Sequence, residues 1–150
     1  MNTSSKVLKA PLTSLRLVRE GTVEYGEPVT RAAIAYSFLR PLMADLAQEA
    51  FYVVGLDTKN RITVVHQVAM GSPMGVAFNL GDVAKVLLLS NSTGVLCAHN
   101  HPSQSCDPSP EDRELTRRLR EIMQLIGVRM IDHIIVADSR FYSFEEAGQL

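Results

Sequence analysis

An apolar run in the second half of the chain, Val95-Leu96-Cys97-Ala98, ends in His99-Asn100-His101-Pro102, and Ser109 and Asp112 follow shortly after. The apolar run reads as a strand, and in a strand side chains two apart point the same way. His99 and His101 therefore leave its end on one face. Ser109-Pro110-Glu111-Asp112 reads as a helix start, with Ser as N-cap, Pro at the first helical position and an acid three residues after the cap. A chain carrying both features must run strand, loop, helix, with two imidazoles and a carboxylate close enough to hold one ion. Two nitrogens, one carboxylate and a vacancy is the ligand count of a catalytic zinc site rather than a closed structural one.

Each half also has a plainer reading. Ser-x-x-Asp is a common capping box and needs no ion to explain it. A bare His-x-His can simply pack and hydrogen-bond. Both readings hold together, because a helix N-terminus is a rigid mount for a short carboxylate and its positive dipole end favours the ionised form. The joint arrangement, with Pro102 and Pro108 in the connecting loop, favours the metal.

Length and composition set the frame around this feature. A chain of 150 residues is one domain's worth, and 46% hydrophobic with 21% charged residues is ordinary for a globular protein. No apolar stretch is long enough to span a bilayer, and the first fifteen residues lack the continuous apolar segment of a secretory signal. Two cysteines, Cys97 in the apolar run and Cys106 in a polar loop, are no disulfide framework, so a cytoplasmic location is expected. A formal net charge of −1 argues against a global attraction to nucleic acid or anionic lipid.

Periodicity supplies the elements. The first dozen residues read as a loose leader, with a short strand over Leu15 to Val18. Thr30 is expected to cap a helix through Leu39, which Pro41 interrupts or ends, with a second helical piece over Leu42 to Gln48. Phe51 to Leu56 reads as a buried central strand, Asp57 to Asn60 as a turn, and Arg61 to Ala69 as the returning arm of a hairpin. Met74 to Phe78 reads as a further strand, Gly81 to Leu89 as a helix and Gly94 to Ala98 as the strand delivering the histidines. Ser109 to Ile126 is the clearest helix, with Leu115, Leu119, Ile122 and Ile126 on one stripe and Gly127 as its stop. Val128 to Ala137 and Arg140 to Phe144 complete the strands, and the tail reads as a short helical turn. The expected class is α/β, a mixed sheet flanked by helices.

Other polar residues have structural expectations. His66 shares a face with Ile62, Val64 and Val68 and reads as a core histidine. Asp132 falls with Val128, Met130, Ile134 and Val136, opposite His133, and needs a buried hydrogen-bond partner. Cys97 reads as core packing and Cys106 as an inert loop thiol. Arg113, Arg117, Arg118 and Arg120 are balanced by Glu111, Glu114 and Glu121, as on a solvated, salt-bridged helix face.

His99-x-His101, seven residues, then Ser109-x-x-Asp112 matches the motif of the JAMM (MPN+) metalloproteases, the class that includes zinc deubiquitinases. The string Ala98-His99-Asn100-His101-Pro102-Ser103, with Pro108-Ser109, Asp112, Thr116 and Asp132-His133-Ile134-Ile135-Val136, resembles the bacterial RadC branch of that superfamily. The resemblance covers about residues 30 to 146 and includes Arg40-Pro41-Leu42, Glu49 before the Phe51 strand, and Leu56-Asp57. It implies a JAMM/MPN architecture, cytidine deaminase-like, over residues 30–150, after a leader and short strand over 1–29. RadC-like proteins usually carry a helix-hairpin-helix-type region ahead of this domain, and a short form without it is expected here. Gln104, where the resemblance leads one to expect Gly, and Cys106 are departures that put the loop shape in doubt without removing a ligand.

The resemblance also implies roles. His99, His101 and Asp112 would hold zinc, and Glu49 would act as general acid/base. Read without the resemblance, Glu49 is an exposed charge at a strand end. Ser109 would donate a hydrogen bond to the developing oxyanion, since a hydroxyl can accept from the helix backbone while donating to substrate. The expected function is a zinc-dependent hydrolase of an amide or isopeptide bond, in a polypeptide or a small amide. The alternatives are a DNA-repair-associated RadC-like protein and a metal-containing binding module without turnover. A homo-oligomer is left open.

Overall fold

The computed structural model describes residues 10–71 and 79–150. Eight elements follow in order: α1 Ala32–Met43, β1 Ala50–Leu56, β2 Ile62–Met70, α2 Leu80–Leu89, β3 Gly94–Asn100, α3 Pro110–Leu125, β4 Arg129–Val136 and β5 Phe141–Ser143. The strands form one mixed sheet in the order β2-β1-β3-β4-β5. Only β3 and β4 run parallel, joined across α3, and the other pairs are antiparallel. This is the α/β class that the interleaved periods predict.

Strand parity divides the core between the two faces of the sheet. Val54 and Leu56 of β1, Leu96 and Ala98 of β3, and Ile134 and Val136 of β4 pack on α1. Phe51, Val53, Val95 and Cys97 pack instead with Val83 and Leu87 of α2 and Leu115, Leu119 and Met123 of α3. The result is three layers, with α1 on one side and α2 with α3 on the other. His99 continues the Val95 and Cys97 parity, so the strand aims it at the α3 layer.

Bulges in β2 and β4 break the alternation that the sequence suggests. In β2, Ile62 faces Leu56 and Val64 faces Gly55, which leaves Thr63 extra. Ile62 therefore packs with the α1 layer, whereas Val64 and Val68 pack with the other. His66 is exposed on this edge strand and is not the core histidine expected. In β4, Met130 pairs with Val95 and Asp132 with Leu96, which leaves Ile131 extra. Val128 and Met130 thus lie on the α2/α3 side and Ile134 and Val136 on the α1 side, so the single face proposed for them does not exist. A bulge shifts phase by one residue, and here it decides which side chain of Asp132-His133 is presented to α3.

The ends differ from expectation in three places. Residues 10–25 form no regular secondary structure, and Leu15 and Val18 are 76% and 82% exposed, so the strand expected there does not form. Helix α1 is capped by Arg31, without a side-chain bond, rather than by Thr30. It also runs through Pro41 to Met43 instead of breaking into two pieces. Proline so near a C-terminus deletes a single helical bond, and the Ala44 amide still reaches the Arg40 carbonyl at 2.9 Å. The strand expected over Met74 to Phe78 lies outside the described residues.

Candidate metal centre

Helix α3 presents Asp112, Leu115, Thr116, Leu119 and Met123 as its buried stripe, at the i, i+3, i+4, i+7 spacing of one face. Its first turn thus turns a carboxylate inward beside the end of β3. The Ser109 hydroxyl accepts from the Asp112 amide at 3.0 Å, and the Ser109 amide donates to Asp112 Oδ2 at 2.8 Å. The capping box is therefore real, and it fixes the carboxylate that the metal reading needs.

Around this mount four groups converge. His99 Nε2 and His101 Nε2 lie 3.0 Å apart. Asp112 Oδ1 lies 3.1 Å from His99 Nε2, and Oδ2 lies 3.3 Å from His101 Nε2. Glu49 Oε1 is 4.0 Å from His99 Nε2. One donor atom from each of the four falls within 4.8 Å of every other, the geometry of a group that could hold a metal ion.

The donors fit a tetrahedral ion. Ligands ~2.0–2.1 Å from a zinc centre stand about 3.3–3.4 Å from one another, and the separations from His99 Nε2 to His101 Nε2 and to Asp112 Oδ1 are close to this. Protonation supports the same reading. His101 Nδ1 lies 2.9 Å from the Ser105 carbonyl, which can only accept, so that nitrogen carries a proton and Nε2 is the one that faces the cluster. The Asp112 hydrogen bond pushes the His101 pKa up against the opposing effect of burial. Burial pushes Asp112 up, but the His101 hydrogen bond and the neighbouring His99 imidazole outweigh it and hold the carboxyl well below the usual range. A proton on His101 answers the demand for positive charge that a bound cation would meet.

Glu49 sits just ahead of β1, partly buried, with its pKa raised by burial and pulled back in part by the neighbouring imidazoles. Its backbone is clamped on both sides by a residue that sequence reasoning passed over. The buried Asn100 side chain accepts from the Ala50 amide at 2.7 Å and donates to the Gln48 carbonyl at 3.1 Å. The Glu49 carbonyl accepts from Gly71 at 2.7 Å. The residue between the two histidines thus aims the glutamate. Its type, a side-chain amide able to bridge an N–H and a C=O, is the one signal that could have disclosed it.

The remaining candidates have structural duties. Asp132 accepts from Ser143 Oγ at 2.6 Å and from the amides of His133 and Glu145 at 2.7 and 3.0 Å, the buried partners its position requires. Cys97 is fully buried in the core, and Cys106 is buried with its thiol directed at the Arg140 carbonyl. Gln104 holds a left-handed φ of +63°, the conformation that a glycine takes most easily. Its side chain donates to the Ala44 carbonyl at 3.0 Å and accepts from the Asp138 amide at 2.7 Å, which pins the ligand loop to α1 and to the turn after β4. On α3, Arg117 pairs with Glu114 and Glu121 on the solvated face. Among the described residues no helix is long and apolar enough to cross a membrane.

A mixed five-stranded sheet between helices, with a His/Asp/Glu cluster where a central strand meets a helix start, defines a JAB/MPN-type domain. The family model described as the RadC-like JAB domain matches residues 29–149, and the chain belongs to the RadC family. It is 37% identical to a UPF0758 protein of Cupriavidus pinatubonensis over 93% of this chain and 61% of the relative. A UPF0758 protein of Thiobacillus denitrificans is 33% identical over 96% of this chain and 64% of its own length. One of Symbiobacterium thermophilum is 38% identical over 77% of this chain and 49% of its own. The chain thus spans less than two thirds of the length of these relatives.

Proposed function

We propose that this domain is a zinc-dependent hydrolase acting on an amide or isopeptide bond. The observation that carries the reading is the convergence of two imidazoles, one carboxylate and a desolvated glutamate within 4.8 Å. His99, His101 and Asp112 would hold the ion, and Glu49 stands apart from them by its longer distance to His99 and its raised pKa. Zinc in an open site of this kind supplies Lewis acidity and lowers the pKa of water from about 15.7 towards ~7.

The chain's own residues supply the proton chemistry. Glu49, aimed by Asn100, takes a proton at its carboxylate and returns it to the leaving nitrogen, and a raised pKa suits a group that must act in both directions near neutrality. Ser109 accepts from the Asp112 amide through a lone pair, which leaves its O–H to donate to the oxygen on which charge develops. A module that keeps a metal only for stability has no use for a glutamate held in place from both sides.

The test is zinc quantitation of the purified chain, followed by a peptidase and isopeptidase screen. Glu49→Gln should retain zinc and fold while losing roughly 10²–10⁴-fold in turnover. Full activity in that variant, or a wild-type chain that takes up no zinc, rejects the reading.

A further inference from the structure

Behind His99 lies a line of three buried polar groups that the hydrolase reading does not use. His99 Nδ1 is 2.9 Å from His133 Nε2 on β4. His133 Nδ1 is 2.6 Å from Thr116 Oγ1 on α3. Thr116 Oγ1 is 2.6 Å from the Asp112 carbonyl, one helical turn back. The first two links join β3 to β4 and β4 to α3, and the line ends on the backbone of a proposed ligand.

The direction of every hydrogen bond in the line is determined from its far end. A carbonyl only accepts, so the single Thr116 hydroxyl proton goes to Asp112, a common back-bond within helices. Thr116 Oγ1 is then an acceptor toward His133, so His133 Nδ1 carries a proton. His133 is fully buried, stacked on Phe144 with ring centroids 5.0 Å apart and edge-on to Phe51 at 5.5 Å. Among the described residues no carboxylate hydrogen-bonds to its ring, so a second proton would place an unpaired charge in the core. Neutral His133 therefore offers a bare Nε2, and the proton between it and His99 belongs to His99 Nδ1. That leaves His99 Nε2 unprotonated and able to accept from His101 Nε2 at 3.0 Å.

We infer that His133, oriented by Thr116, is a positioning residue that fixes the tautomer of His99 and so keeps Nε2 free to bind a metal ion. The inference rests on the metal reading above. The four groups join β3, β4 and α3, so the same line that sets the proton also sets the spacing between the His99 and Asp112 donors. The bulge at Ile131 is what turns His133, rather than Asp132, toward α3. Partners of this kind orient ligating histidines, and losing one costs metal affinity about 10–100-fold.

Zinc alone is the probe, titrated into the full chain against a chromophoric chelator. Thr116→Val, which keeps the shape and removes the hydroxyl, should weaken zinc binding about 10–100-fold, and Thr116→Ser should restore it. In the metal-free wild type, long-range ¹⁵N–¹H NMR should show protons on Nδ1 of both His99 and His133 and none on Nε2 of either. His99 protonated at Nε2, or a folded Thr116→Val chain that binds zinc as tightly as wild type, overturns the inference. A wild type that shows the predicted tautomers yet takes up no zinc overturns the metal reading instead, so the two failures are separable.

Discussion

Asp112 divides its two oxygens between neighbours: Oδ2 accepts from the Ser109 amide, and Oδ1 faces His99. Holding the carboxylate this way costs little flexibility later, because the helix start has already ordered it. His101 is the proposed ligand whose proton would compete with a metal, since the Asp112 hydrogen bond raises its pKa above the ordinary histidine value. A raised pKa means the proton stays on to higher pH, and zinc must displace it. Zinc affinity should therefore be greatest above that pKa and fall by roughly tenfold per pH unit as the pH drops through it, with a proton released on binding. Chelator-competition titrations from pH 5.5 to 8.5, with binding heats compared in buffers of different ionisation enthalpy, check both parts. Affinity unchanged across that range would show that His101 is no ligand.

Among the elements, the loop between β3 and α3 has no hydrogen-bonded ladder of its own and depends on side chains to hold it. Gln104 supplies two of these bonds from a left-handed backbone. Removing them in Gln104→Ala should cost about 1–2 kcal/mol, whereas Gln104→Gly loses the same bonds but relieves ~1 kcal/mol of backbone strain. Denaturant melts should rank the three chains wild type, then Gly, then Ala, and Ala at or above Gly would mean that strain is absent. The sequence disclosed β3, α3 and their capping box because each is a local pattern, a buried run or a spacing of three and four. The Ile131 and Thr63 bulges carry no glycine in their own strands, and Gly94 and Gly55 against them lie on the facing strands, so alternation within β2 and β4 does not disclose their faces. Asn100, Thr116 and His133 act across elements, and no spacing within one element reveals a contact between two. Pro41 reads as a breaker from sequence, yet its nearness to the end of α1 makes it tolerable.

At the scale of the molecule, the proposed centre lies where the three layers of the fold leave the sheet with a polar corner. Parity sends His99 and His133 to the α3 side, the buried stripe of α3 brings Asp112 and Thr116 to meet them, and Phe51 and Phe144 close the apolar wall behind. An ion at this corner would tie the end of β3 to the start of α3 across the loop, contacts that the unfolded chain cannot hold together. Binding to the folded state alone must then raise its stability. At free zinc about 100 times the dissociation constant the gain is ~2.7 kcal/mol, which for a chain of this size moves the melting temperature by roughly 5–10 °C. Calorimetry with zinc and with excess chelator should show that difference in the wild type and in Glu49→Gln, since the proposed ligands are His99, His101 and Asp112. His99→Ala should melt at the same temperature in both. A shift that survives in His99→Ala would place the stabilising metal elsewhere on the chain.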